Sequence, residues 1–215
     1  MELHFKIGDV ANMFADLEAP GKTLFIITGA NQGGKSTFLR SVGLAQILMQ
    51  CGSFVPATFY CANICDRIFT HFTREEDINL NSGKLDEELL RINNIVNMIT
   101  PGSLLLMNEP FATTTERDGS KIAEDIITAF YELDIKVLSV THLYEFCSNL
   151  YNKGLEKTTF LRAERNDNGS RSYCIKTGEP LKTSFGQDLF NDVMDNMVQL
   201  FGKGRIPHHG IPIIN

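Results

Sequence analysis

The chain has 215 residues, 43% hydrophobic and 21% charged, with a formal net charge of −6. That length can bury one sizeable core. The acidic balance argues against this segment alone gripping nucleic acid, which takes clustered Lys and Arg. No apolar run approaches a membrane span, and the first residues carry no signal-peptide core. The five cysteines (Cys51, Cys61, Cys65, Cys147, Cys174) are odd in number and scattered, so reduced thiols in a cytoplasmic protein are expected rather than a disulfide framework.

In chain order, Leu3, Phe5 and Ile7 alternate and predict a short strand. Asn12–Leu17 reads as a second short strand or a loop, and Ala19–Lys22 as a turn. Thr23–Ile27 is an apolar strand. Phe38–Gln50 is a helix with Leu39, Val42, Ala45, Leu48 and Met49 on its inner face, stopped at Cys51-Gly52. Phe54–Pro56 is extended. Cys61 and Cys65 read as small buried residues, because no matching pair follows to make a metal site. Arg67–Phe72 is a strand and Thr73–Gly83 a polar loop. Leu85–Ile99 is a helix burying Leu85, Leu89, Ile92, Ile95, Val96 and Ile99.

Ser103–Met107 is a continuous apolar run, the signature of a strand covered on both faces, and it ends in Asn108-Glu109. Asp118–Leu133 is a helix with Ile122, Ile126, Phe130 and Leu133 inward. Ile135–Val140 is another buried strand, ending at Thr141-His142. Thr158–Glu164 and Arg171–Thr177 form a hairpin around Asn166–Gly169. Phe190, Val193, Met197 and Leu200 recur at helical spacing. Residues 1–201 are expected as one domain and 202–215 as an irregular tail. The alternation of strands and helices predicts an α/β fold, with a mixed, mainly parallel sheet and helices on both faces.

Chemistry concentrates between the third strand and the first helix. Gly29-Ala30-Asn31-Gln32-Gly33-Gly34-Lys35-Ser36-Thr37 contains G-x-x-x-x-G-K-[ST], with the strand before and helix after that a phosphate loop requires. Glycines let backbone N–H groups turn inward as an anion nest, and the helix aims its positive end at the same point. In such a loop Lys35 reaches the β- and γ-phosphates of a nucleotide and the Ser36 hydroxyl ligates Mg²⁺. A glycine-rich turn that binds nothing is the plainer alternative. The Lys-Ser pair in register, with correct flanks on both sides, favours the site.

A second constellation supports it. A phosphate loop needs a neighbouring strand that ends in a group for the metal side and a group to orient water. Asn108 and Glu109 end the buried strand at its carboxyl edge, where α/β sheets bind ligands. His142, at the end of a later strand, can reach the γ-phosphate. Either Glu109 or His142 alone would more often be an exposed strand-end residue; together, after a phosphate loop, they read as catalytic.

These segments, in this order, resemble the ATPase domain of the MutS family of DNA mismatch-repair proteins. Ile27–Thr37 resembles the family's phosphate loop, Gln50–Ala57 the segment after its first helix, and Asp66–Thr70 its next strand. Asn81-Ser82-Gly83 resembles its signature loop. Asn108-Glu109 with Thr114 and Asp118-Gly119 resembles its Walker B strand and the turn beyond. Val140–His142 resembles its switch histidine, and Tyr173–Gly178 with Ser184–Gly186 its last strand and helix start. The resemblance implies a three-layer P-loop NTPase of the ABC type, binding ATP and Mg²⁺ and working as a homodimer. Each nucleotide would lie between one subunit's Gly29–Thr37 loop and the other's Ser82-Gly83. Catalytic roles fall to Lys35, Glu109 and His142, and metal contacts to Ser36 and Asn108. DNA would be contacted by domains upstream of this segment.

The pattern is not matched throughout. The family usually has Asp where Asn108 stands, which implies a weaker hold on Mg²⁺ and slow hydrolysis. Its glycine-rich turn after Walker B is Pro110–Thr115 here. The signature loop runs into Asp86, Glu87 and Glu88, whose charge is expected to oppose an incoming triphosphate. These differences point to a divergent member. The residues leave two other functions open: a nucleotide-dependent dimerisation module with negligible turnover, and an ABC ATPase subunit of another system. Against the latter, the signature loop lacks the Leu-Ser-Gly-Gly-Gln type of run found in transporters.

Overall fold

A computed structural model of the chain describes residues 3–7, 14–30, 32–72, 83–166 and 170–181. Strands β1 (Leu3–Ile7), β2 (Phe14–Glu18) and β3 (Leu24–Gly29) lead into helix α1 (Lys35–Gln50). Then come β4 (Phe59–Ala62), β5 (Ile68–Phe72), α2 (Lys84–Val96), β6 (Leu104–Asn108) and α3 (Glu116–Glu132). β7 (Lys136–Val140), α4 (Tyr144–Asn152), β8 (Thr158–Arg165) and β9 (Arg171–Thr177) complete the described elements.

The strands form one sheet in the order β4-β1-β2-β9-β8-β3-β7-β6-β5. The run β8-β3-β7-β6-β5 is parallel throughout, as is β2 with β9. β1 pairs antiparallel with both β2 and β4, and β8 pairs antiparallel with β9. The sheet is therefore mixed and mainly parallel, as expected.

Alternation along the central strands explains why both faces are covered. Phe25, Ile27, Leu104, Leu106, Leu138 and Val140 point to one face, where Phe38, Leu39 and Val42 of α1 cover them. Leu24, Ile26, Leu105, Met107 and Val137 point to the other, under α2, α3 and α4. Each such side chain, fully buried, is worth roughly 1.5–3 kcal/mol against exposure. A continuous apolar run such as Leu104–Met107 is stable only between two such layers.

Several expectations shift in phase. On α1, Leu39, Val42 and Ala45 are buried as expected, but Phe38 and Gln46 join them while Leu48 and Met49 are only half-buried. Gln46 is tied down by Tyr60, which donates to its Oε1, and by its own bonds to Asn63 O and Cys65 Sγ. On α3 the inner stripe is Gly119, Ser120, Ala123, Ile127 and Phe130; Ile122 and Ile126 flank it, and Leu133 caps the helix in solvent. Small residues at 119 and 123 let the α3 backbone approach closely, which rotates the buried stripe. On α2, Ile92 and Ile95 are buried, whereas Leu89 and Val96 are exposed and the acid Glu88 takes an inner position.

Two elements carried no recognised signal. β4 is four residues long, alternates exposed with half-buried, and exists through its pairing with β1. Cys61 lies on its outward face, so of the cysteines expected inside only Cys65 is buried. Helix α4 buries Phe146, Cys147 and Leu150 against the sheet. The helical pattern of residues 190–200, Ser184–Gly186, the tail 202–215, most of the loop 73–83 and the hairpin tip at 167–169 lie outside the described residues. No described helix is long and apolar enough to cross a membrane.

Candidate nucleotide site

Because β3, β7 and β6 are parallel neighbours, their carboxyl ends emerge at one edge. Ile27, Val140 and Asn108 stand side by side in register. Beyond that row, Thr141 donates its N–H to Ile27 O and Glu109 donates its N–H to Val140 O. The loop after Gly29, the Asn108-Glu109 pair and the Thr141-His142 pair thus share a ledge. This is the crevice position expected of a ligand site in an open α/β sheet.

The glycine-rich loop is shaped by contact as well as by freedom. Gly29 (φ 111) and Gly34 (φ 90) take conformations that side chains avoid. A Cβ on Gly29 would lie 2.8 Å from Ala163 O, and one on Gly33 would lie 2.8 Å from Ala163 Cβ. Ala163 on β8 is therefore the floor of the loop. Gly34 caps α1 without any side-chain bond to the helix amides. The first-turn N–H groups of α1 thus have no capping side chain competing for them, which suits an anion.

Lys35 is buried at 6% exposure. Its Nζ donates to Gly29 O at 2.8 Å and Ala30 O at 3.0 Å. Burial pushes its pKa down, and the nearby Glu109 carboxylate partly offsets this. Ser36 and Asn108 are half-buried and Thr37 is exposed. Gln32 is exposed, with φ 60; Asn31 lies outside the described residues.

Glu109 is half-buried and holds φ 52. Its Oε2 accepts the His142 backbone N–H at 3.0 Å and lies 2.7 Å from His142 Nδ1. The bond from Glu109 raises the His142 pKa, against burial and the Lys35 charge, which lower it. Nδ1 is thereby held by Glu109, and the residue is exposed at the edge. Lys35, Glu109 and His142 are therefore brought together, as the sequence suggested.

Gly83, the described residue of the signature loop, is not part of this cluster. Ser82 lies outside the described residues. Gly83 is exposed and caps α2, again without a side-chain bond. α2 packs beside β5, three strand positions from β3, or about 14 Å at ordinary strand spacing. Asp86 and Glu87 do stand in the first turn of α2. Glu88, expected among the charges opposing a phosphate, is instead buried: it accepts Phe111 N–H at 2.8 Å and meets His71 Nε2 at 2.9 Å. Its position at the phase of Leu85, Ile92 and Ile95 was the available signal. Neither His71 nor Ala163 carried one.

The residues present fit a magnesium nucleotide. Among the described residues, no group of three or more His, Cys, Asp or Glu could hold a metal. A cation here would rest on Ser36 and Asn108 together with phosphate oxygens, the arrangement Mg²⁺ favours.

Comparison with known proteins places the chain in a family. The family model MutS domain V matches residues 25–191. The chain is similar to the DNA mismatch repair protein MutS of Clostridium botulinum (strain Eklund 17B / Type B), 37% identical over 64% of this chain and 15% of that protein. The DNA mismatch repair protein MutS of Clostridium beijerinckii is 29% identical over 95% of this chain and 23% of its own length. The DNA mismatch repair protein MSH3 of Vanderwaltozyma polyspora is 40% identical over 63% of this chain and 13% of its own length. The chain thus spans less than a quarter of these relatives. It belongs to the MutS family, within that family's domain V.

Proposed function

We propose that this chain binds ATP with Mg²⁺ and hydrolyses it slowly, as the P-loop motor domain of a larger, divergent MutS-type DNA-repair protein. The observation that carries the reading is the juxtaposition of buried Lys35 with the Glu109–His142 pair at the carboxyl edge of the sheet. Lys35 and the α1 amides offset phosphate charge. Ser36 and Asn108 would hold the metal, which would supply charge neutralisation at the phosphoryl oxygens. Glu109 orients and polarises water, and His142 fixes the Glu109 carboxylate while facing the γ-phosphate side. The packing of α2 beside β5, three strand positions from β3, supports a nucleotide shared between two copies, each Ser82-Gly83 serving the other's loop. The DNA contacts are assigned to the remainder of the protein, since this segment carries a net charge of −6.

Glu109→Gln is the direct test. ATP binding with turnover abolished supports the assignment; unchanged turnover overturns it. A second reading, a nucleotide-dependent dimerisation switch, is favoured by one feature: a neutral Asn108 where a carboxylate would hold the metal more firmly. Single-turnover phosphate release with Mg²⁺ separates the two.

A further inference from the structure

Glu88 is a carboxylate on the inner side of α2, 4% exposed, with no place yet in the proposed chemistry. Phe111 N–H donates to its Oε1 at 2.8 Å, and Thr113 Oγ1 donates to its Oε2 at 3.3 Å. His71 Nε2, itself buried on β5, lies 2.9 Å from Oε1. Burial alone would raise the Glu88 pKa. The bonds from His71, the Phe111 amide and Thr113 outweigh burial and hold it below the ordinary carboxylate range. The pocket is built around a charged carboxylate.

What Glu88 holds is the segment that aims Glu109. Glu109 (φ 52) and Phe111 (φ 59) are both left-handed, two residues apart, with Pro110 between them. Side-chain-bearing residues stay in that region only where their surroundings over-determine it. Upstream, Glu109 is pinned by its bond to Val140 O. Downstream, the Phe111 ring is fully buried, and its carbonyl presses on Gly119, where a Cβ would come within 2.6 Å. The bond from Phe111 N–H to Glu88 is the anchor that belongs to α2, the helix that begins at Gly83.

We propose that Glu88 is a positioning residue for Glu109: it pins the left-handed Glu109–Phe111 segment from α2, so the aim of the Glu109 carboxylate depends on where the Gly83 end of that helix sits. The proposal rests on the hydrolytic reading of Glu109. Glu88 lies five residues into a rigid helix, about 7–8 Å along its axis from Gly83. A second copy engaging Gly83 would shift the helix as a body and carry the Phe111 anchor with it. One partner's docking surface thereby sets the readiness of the other's hydrolytic base.

The test uses the whole 215-residue chain, with Glu88→Ala, Glu88→Asp and Glu88→Gln. Gln keeps an oxygen for Phe111 N–H, Asp retracts the carboxylate by one methylene, and Ala removes it. With MgATP, Ala and Asp should lower kcat by roughly 10–100-fold, the scale of a misplaced catalytic group. KM for ATP should stay within about twofold, and Gln should return to within about threefold of the parent chain. Amide hydrogen exchange without nucleotide supplies a readout independent of turnover. The His142 amide donates to Glu109, and it should exchange about tenfold faster in Ala and Asp but not in Gln. Faster exchange confined to Phe111, or parental kcat in Asp, overturns the proposal. If Ala fails to fold, Asp against Gln decides it. If the parent chain shows no turnover, the hydrolytic reading fails, while exchange at His142 still reports whether Glu88 holds Glu109.

Discussion

Two turns on the same sheet edge leave their strands through left-handed backbone, and they are built in opposite ways. The turn after β3 uses glycine: Gly29 and Gly34 supply positive φ, and Ala163 forbids a side chain on the Gly29 side. The turn after β6 has no glycine; Glu109 and Phe111 take positive φ with their side chains on. Apart from the exposed Gln32 (φ 60), the first turn owes its shape to what its residues lack. The second is forced by a buried ring, a bond to Val140 and a carboxylate borrowed from α2. A glycine turn is a passive mould for a phosphate. A forced turn costs free energy, of order 1–3 kcal/mol per residue, but places a functional side chain at its apex. Glu109 sits there.

The largest expected effect comes from removing that side chain's function. Glu109→Gln should reduce kcat on the order of 10²–10⁴-fold, with nucleotide affinity retained, as measured by steady-state phosphate release and equilibrium binding. Lys35→Ala should strike the glycine turn's ligand instead. A loss of about 10²–10³-fold in kcat/KM is expected, now with weakened binding of a fluorescent ATP analogue. Equal losses of binding in both variants would erase the contrast between the mould and the apex.

Next come the supports. Gly119→Ala drives a methyl to 2.6 Å from Phe111 O and should destabilise by about 1–3 kcal/mol as an overpacked site, lowering turnover as the apex tilts. Gly34→Ala places a side chain at φ 90. It should cost about 1–2 kcal/mol and weaken nucleotide binding more than it slows chemistry. Thermal melts paired with ATP titrations check both. A smaller effect is expected from Asn108→Asp, which should lower the Mg²⁺ concentration giving half-maximal turnover.

The subtlest effect is pH. His142 has a pKa raised by Glu109. The stability this pair adds is fully present below the unfolded histidine value of about 6.5 and is lost as pH rises through the raised folded value. His142→Asn should flatten that limb of the stability–pH curve in chemical denaturation. An unchanged slope would mean that the contact contributes nothing to folding.

Much of the central sheet was legible because its signals are local. Leu104–Met107 and Ile135–Val140 could be buried strands only if helices covered both faces, and the alternating elements supplied those helices. The phosphate loop, Lys35, Asn108, Glu109 and His142 are equally local: spacing within a strand, turn and helix fixes their place at the sheet edge. The resemblance to MutS proteins read from those residues is the one the family match bears out.

What the sequence could not place depends on partners distant in the chain. β4 is a strand because β1 offers it hydrogen bonds. The buried stripe of α3 turned toward Gly119 and Ala123 because close backbone approach outweighed the larger Ile122 and Ile126. Glu88 looked like surface charge facing a phosphate, since an acid in an early helical turn usually is. Only packing against β5 and the post-β6 turn brought His71, Phe111 and Thr113 around it. The sequence by itself determined which residues carry the proposed chemistry, through motifs a few residues long. The tertiary structure alone decided what holds them in place, because a buried carboxylate and a left-handed turn are stable only through contacts that close when the whole sheet assembles.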